Sequence, residues 1–161
     1  MNRTQWYIGA PNAVVLCIHE AKDSLRGELY HSYSQEPSSF ESLHQMLRLM
    51  EDLYDSLQFP FPGTNERSFS KEKKTQGRKQ ERIRIMSDEQ LLSKHGDIGT
   101  FIVRVQHRQN SSWQGRLTWM EEDKTINFRS AWEMIKLIES AVDSVSASED
   151  GEAEPSWFSG E

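Results

Sequence analysis

Residues 13–57 and 101–145 align with one another at a constant offset of 88 and without a gap. Twelve of the 45 pairs are identical: Val15/Val103, His19/His107, Ser24/Ser112, Gly27/Gly115, Leu29/Leu117, Phe40/Phe128, Ser42/Ser130, Met46/Met134, Leu49/Leu137, Glu51/Glu139, Asp55/Asp143 and Ser56/Ser144. Ordinary residue frequencies would give roughly 3 by chance, so an internal duplication is expected. The fold must then be one that can be made twice and joined.

The matched positions have a local physical logic. Ser42 with Gln45, and Ser130 with Glu133, fit the S-x-x-E/Q capping box, in which each side chain satisfies an orphan backbone donor. Helical spacing follows in the first copy at Leu43, Met46, Leu47, Met50, Leu53, Tyr54 and Leu57. The second copy places Ala131, Met134, Ile135, Ile138, Val142 and Val145 in the same way. Phe40 and Phe128 stand two residues before their caps, placed to anchor the start of each helix.

Upstream the apolar period shortens toward two. "TFIVRVQH" sets Phe101, Val103 and Val105 against Ile102, Arg104 and Gln106, and "WQGRLTWM" groups Trp113, Gly115, Leu117 and Trp119. Gly27 and Gly115 interrupt these stretches, which predicts a bulge, a bend or close approach of another backbone. "RQNSS" and "EEDK" have turn chemistry, and a short third strand follows, weaker in the first copy because of Pro37. Each copy therefore reads β-β-β-α.

One such unit of about 45 residues buries too little surface to stand alone. The expected fold class is α+β, a tandem β-β-β-α duplication with antiparallel sheet or sheets and two covering helices in a pseudo-twofold arrangement. The segments are 1–57, first repeat; 58–100, a Pro-rich turn, basic insert and short helix; 101–145, second repeat; and 146–161, an acidic disordered tail. "SDEQLLSKHGD" supplies the short helix, capped at Ser87 or Asp88 and closed at Gly96.

Bulk properties narrow the functional classes. A net charge of −6 and a pI near 5.4 argue against general attraction to nucleic acid or anionic membrane. Cys17, the single cysteine, lies in an apolar run and reads as a small buried hydrophobe. No stretch approaches the ~18 consecutive apolar residues of a membrane span, and the first residues lack the pattern of a signal peptide. A cytoplasmic protein is expected.

Charge divides the copies. Glu20, Glu28, Glu36 and Glu41 align with Arg108, Arg116, Lys124 and Arg129. Either these swapped charges face each other between the copies, or the second copy has become a binding face. The candidate binding residues are Arg104, Arg108, Gln109, Asn110, Trp113, Gln114, Arg116 and Arg129, since arginine, tryptophan and amides together suit a hot spot or an anion. A cation at a helix N-terminus, as at Arg129, invites a carboxylate or phosphate partner.

The basic insert carries eight Lys/Arg against two Glu over residues 67–85. It is either a solvated loop or an arm contacting phosphates through Lys71, Lys73, Lys74, Arg78, Lys79, Arg82 and Arg84. Catalytic and metal signatures are missing. The five histidines show no H-x-x-x-H or H-E-x-x-H spacing, and no P-loop, G-x-G-x-x-G or G-x-S-x-G occurs. No enzyme, metal or cofactor is expected.

The stretch "SSWQGRLTWMEEDKTINFRSAWEMIKLIESA" resembles an element of small uncharacterised proteins of anaerobic Firmicutes, through Ser112–Gly115 and Phe128–Ser130. The first copy keeps only Ser24, Gly27, Phe40 and Ser42 of that pattern. The resemblance implies a bacterial protein and no assigned activity. The expected function is a noncatalytic binding or regulatory protein engaging a protein partner through the second repeat, such as a mobile-element-encoded inhibitor or adaptor. The alternative is an RNA or DNA binder using residues 67–84 with the second-repeat arginines. The oligomeric state stays open.

Overall fold

The computed structural model describes residues 11–58, 69, 83–108 and 112–150, without the side chains of 146–150. Strands β1 (Val14–Glu20), β2 (Arg26–His31) and β3 (Ser38–Phe40) lead into helix α1 (Leu43–Leu57). A short helix α2 (Asp88–Leu92) precedes β4 (Gly99–His107), β5 (Gln114–Trp119), β6 (Lys124–Phe128) and helix α3 (Ala131–Asp150). The fold is α+β. Its described strands form one antiparallel sheet in the order β3-β2-β1-β4-β5-β6. Three strands and then a helix thus run twice along the chain, and the two inner strands, β1 and β4, join the halves.

Alternation decides the two faces. Val14, Leu16 and Ile18 of β1 share one face with Phe101, Val103 and Val105 of β4, and with Leu29, Phe40, Leu117 and Phe128. Both long helices cover this face, α1 over β2 and β3 and α3 over β4, β5 and β6. On the opposite face Ala13, Val15, Cys17 and Ile102 pack under Met86, Leu91 and Met120. The inner strands are therefore buried on both sides, which is why "VVLCI" and "FIV" read as continuous apolar runs rather than clean alternation.

Both long helices are capped by the predicted serine, but the reciprocal bond of the expected box is taken from the residue before that serine. The Ser42 hydroxyl accepts from the Gln45 N–H at 3.1 Å while the Glu41 N–H donates to the Gln45 side chain at 2.8 Å. Ser130 accepts from the Glu133 N–H at 3.0 Å, and the Arg129 N–H donates to the Glu133 carboxylate at 2.9 Å. Ser24 and Ser112 donate to the carbonyls of Glu41 and Arg129, tying the turn after β1 or β4 to the helix start. Three hydrogen bonds recur position for position.

The constant offset, however, fails before Ser24. Ile18 pairs with Gly27, but Gly115 pairs with Val105, not with Gln106. The inner strands correspond at an offset of 87. A bulge skips His19 in β1 and Gln106 in β4, and the Glu20/Arg26 pair beyond the first bulge corresponds to His107/Gln114. Face membership agrees, because an offset of 88 would set Val15 of one face against Val103 of the other. The turn from β4 to β5 holds one residue more than that from β1 to β2, which absorbs the difference. His19 and His107 are consequently not equivalent, and neither are Val15 and Val103.

Two boundaries also differ from expectation. α2 uses Ser87 as its cap, in a full capping box with Gln90, but ends at Ser93. Gly96 serves another purpose: a Cβ there would stand 2.4 Å from the Ile18 nitrogen, so the glycine lets this loop lie on β1. α3 continues through Asp150, five residues into the expected acidic tail, since "SASED" contains no helix breaker before Gly151. The rest of that tail lies outside the described residues.

Candidate functional site

The free face of the sheet divides in two. Over β1 and β2 it is covered by Met86 and α2, whereas over β4, β5 and β6 it carries polar residues. Arg104 and Arg116 are cross-strand partners there, with Asn127 opposite Arg116 on the other side. Gln114 lies at one end opposite His107, with Gln106 in the bulge beside them, and Thr118 and Thr125 lie at the other. Gln106, Gln114, Arg116, Thr125 and Asn127 are exposed and Arg104 is partly so.

The strip is ordered from below. The Arg104 guanidinium donates to the Thr118 hydroxyl at 3.3 Å, and Thr118 shares a 2.9 Å hydrogen bond with Thr125. Thr118 is itself buried. Like charges directly opposite each other on a sheet are unfavourable by a few tenths of a kcal/mol to about 1 kcal/mol. An anionic group laid across Arg104 and Arg116 would reverse the sign of that interaction, with the flanking amides supplying further donors.

Of the eight binding residues expected from sequence, Arg104, Gln114 and Arg116 come together on this strip. Trp113 and Arg108 do not. Trp113 points into the helix-covered face, 8% exposed, edge-on to Tyr54 at 5.5 Å between ring centroids. Arg108, 4% exposed, lies over the same Tyr54 ring and donates to Asp55 at 2.8 Å. These two side chains are core, and Arg108 ties the second half to α1. Arg129 is exposed at the start of α3, where Glu133 supplies the carboxylate that its position invites. Gln109 and Asn110 lie outside the described residues.

Of the insert's candidate contact residues only Arg84 is described, and it bonds Asp88 at 3.3 Å and Ser32 at 3.4 Å. Lys71, Lys73, Lys74, Arg78, Lys79 and Arg82 lie outside the described residues. Thr118, Thr125 and Asn127 were missing from the sequence-based set. Their signal was the "EEDK" turn, which sets β6 against β5 and so places alternate residues of "TIN" beside Arg116.

The charge-swapped positions do not face one another. Glu28 bonds His19, Arg108 bonds Asp55, and Glu20 pairs with Arg26 at 3.7 Å. Glu36 and Glu41 flank β3 at one end of the sheet, whereas Lys124 and Arg129 flank β6 at the other.

A second cluster surrounds the β1 bulge. The His19 ring meets Glu28 Oε1 from Nε2 at 3.1 Å and Asp97 Oδ2 from Nδ1 at 2.9 Å. Partial burial works against the imidazolium, but the hydrogen bonds to Glu28 and then Asp97 outweigh it, raising the His19 pKa above 6.5. The bulge aims this ring between strand β2 and the loop before β4. The Tyr30 hydroxyl donates to the same Glu28 oxygen at 3.4 Å, and burial first, then Glu28 and Glu121, push the nearby Cys17 thiol up to about 12. The cluster is a clamp.

The sign of its pH dependence follows. A raised folded-state pKa makes the clamp's contribution complete below about 6.5 and removes it as pH climbs through the higher folded value. The thermal midpoint of the wild type should therefore fall over that interval more than that of His19→Gln. Exposed pairs of this kind contribute about 0–1 kcal/mol, so the difference is a few degrees. Parallel pH profiles for the two proteins would remove His19 from this role.

Among the described residues no group of three His, Cys, Asp or Glu side chains could hold a metal ion, and no helix is long and apolar enough to cross a membrane. No family model matches the chain, and no curated protein or solved structure matches it.

Proposed function

We propose that this is a noncatalytic binding or regulatory protein, bacterial and cytoplasmic, whose sheet face over β4, β5 and β6 engages an acidic surface of a protein partner. The carrying observation is the side-by-side placement of Arg104 and Arg116 on a part of the sheet that the described helices leave open. Steering by such a pair sets specificity and association rate more than raw affinity. An inhibitor or adaptor role suits a small domain of this kind.

A protein partner is favoured over nucleic acid by the composition of the strip. Among the described residues it offers guanidinium, amide and hydroxyl groups and, at one end, the His107 imidazole, but no Phe, Tyr or Trp ring, whereas sheets that bind single strands stack bases mainly on such rings.

The two β-β-β-α segments are best read as copies of one module, packed as a pseudo-twofold pair about the β1–β4 junction. Support comes from the recurring caps, the paired bulges, and the glycine beside each bulge. One added residue in the second turn accounts for the slip between β1 and β4. On this reading the copies diverged in charge after duplication, and the binding strip arose in one of them.

The test is affinity purification from host cells, with nuclease present, of the wild type beside Arg104→Glu/Arg116→Glu. A partner held by the wild type should be bound at least about tenfold more weakly by the variant, as expected for hot-spot residues. An unchanged set of bound proteins, or release of the partner by nuclease alone, contradicts the proposal.

A further inference from the structure

Arg104 and Arg116 are directly paired on adjacent strands, so their Cα atoms stand about 4.5–5.5 Å apart and both side chains leave the same face of the sheet. Arg116 is exposed and Arg104 partly so. Two guanidinium groups therefore share one small patch, and the groups around them are donors. Asn127 stands opposite Arg116, Gln114 and His107 lie toward one end, and the Thr118 and Thr125 hydroxyls lie toward the other. No Asp or Glu occurs in β4, β5 or β6. Glu121, in the turn after β5, already accepts from the Thr100 N–H at 2.8 Å.

We infer that the feature this strip recognises is a single phosphate group on the partner, a phosphoserine or phosphothreonine; the inference rests on the acidic-surface reading above and narrows it. Charge decides between the two acidic chemistries. An Asp or Glu carboxylate brings one negative charge and leaves the pair with a cation in excess. A phosphomonoester brings a charge of about −1.5 to −2 and three acceptor oxygens. Two guanidinium forks and an amide suit that set of oxygens, and the guanidinium bonds are charge-assisted. The site is also partly preset. Arg104 donates to Thr118 at 3.3 Å, and Thr118 is held by Thr125 at 2.9 Å, so less side-chain freedom is lost when the anion arrives.

Two other phosphate carriers fit less well. Phe101, Trp119 and Phe128, the aromatic residues of these strands, all belong to the helix-covered face, so the ring of a phosphotyrosine has none of them to stack on. A nucleic-acid backbone presents phosphates in series, whereas here the arginine pair is followed along β5 by Gln114 on one side and Thr118 on the other.

Backbone amide shifts of the isotopically labelled full chain test this with four probes. These are an acetylated, amidated glycine–phosphoserine–glycine peptide, the same peptide with glutamate replacing phosphoserine, inorganic phosphate, and an oligothymidylate. The phosphoserine peptide should shift the amides of Arg104, Arg116 and Asn127, bind at least about fivefold more tightly than the glutamate peptide, and be displaced by inorganic phosphate. Arg116→Gln should weaken its binding at least about fivefold, and Arg116→Lys, which keeps the charge but loses the planar fork, should fall between. Arg116 is exposed, and unchanged core amide shifts in each variant guard against misfolding. Equal affinity for the two peptides, no shift on the strip, wild-type binding by Arg116→Gln, or tighter binding of the oligothymidylate would each overturn the inference. Phosphatase treatment of the host lysate separates this failure from failure of the broader reading. A partner that survives phosphatase but is lost to Arg104→Glu/Arg116→Glu removes the phosphate and leaves the acidic surface; a partner indifferent to the charge reversal ends both.

Discussion

Gly115→Ala should destabilise the protein by about 3 kcal/mol or more, and Gly27→Ala by a similar amount. A Cβ on Gly115 would stand 2.0 Å from the Arg104 carbonyl oxygen and 2.9 Å from the Val105 Cα. A Cβ on Gly27 would meet the Cys17 carbonyl oxygen, also at 2.0 Å, and the Ile18 Cα at 3.1 Å. The obstructing atoms are backbone, so no side chain can swing aside. Relief would require β2 to separate from β1, or β5 from β4, at the bulge. Gly99 provides the contrast, since its Cβ would meet only the Phe101 ring, at 3.1 Å, and Gly99→Ala should cost far less. Urea denaturation of the three variants separates these cases. Equal losses at Gly99 and Gly115 would show that close backbone approach is not what glycine provides here.

Phe128→Ala should cost about 3–5 kcal/mol, the range for truncating a buried phenylalanine, and Phe40→Ala should match it. Phe128 is 2% exposed and Phe40 1%, on the face that the long helices cover. Each is the cross-strand partner of a glycine, Phe40 of Gly27 and Phe128 of Gly115, so the ring flanks a position that has no side chain of its own. Each also ends the third strand two residues before a helix cap. Truncation therefore opens a cavity and loosens the start of α1 or α3 together. If thermal or urea denaturation found Phe40→Ala nearly neutral beside a severe Phe128→Ala, the two halves would not be packed alike.

Much of this architecture was legible in the chain. Ser42 and Ser130 announce the helices because capping is local, and Met46, Met50, Met134 and Ile138 recur at a spacing that only a helix satisfies. Gly27 and Gly115 marked the bulges for a similar reason. The one-residue slip was not legible. "VVLCI" and "FIVRV" are apolar enough to match at 87 or 88, and the chance identities Val15/Val103 and His19/His107 favour the wrong offset. A bulge consumes a residue without leaving a compositional trace.

The candidate site was legible in half. Arg104 and Arg116 follow from alternation once β4 and β5 are recognised. Arg108 and Trp113 have the residue types of an exposed hot spot, yet Tyr54 and Asp55, on a helix more than fifty residues earlier, draw both into the core. Local periodicity carries no information about such distant partners. Trp113 did carry a hint, since it shares its strand face with Gly115 and Leu117.

The binding strip exists only if β4 and β5 pair as described, with Arg104 beside Arg116. Cross-strand nuclear Overhauser effects in the isotopically labelled protein measure this directly. Contacts linking Val105 to Gly115 and Val103 to Leu117 are the expected result. Contacts linking Gln106 to Gly115 and Arg104 to Leu117 would instead throw the two arginines onto opposite faces of the sheet, and the proposed binding surface would not exist.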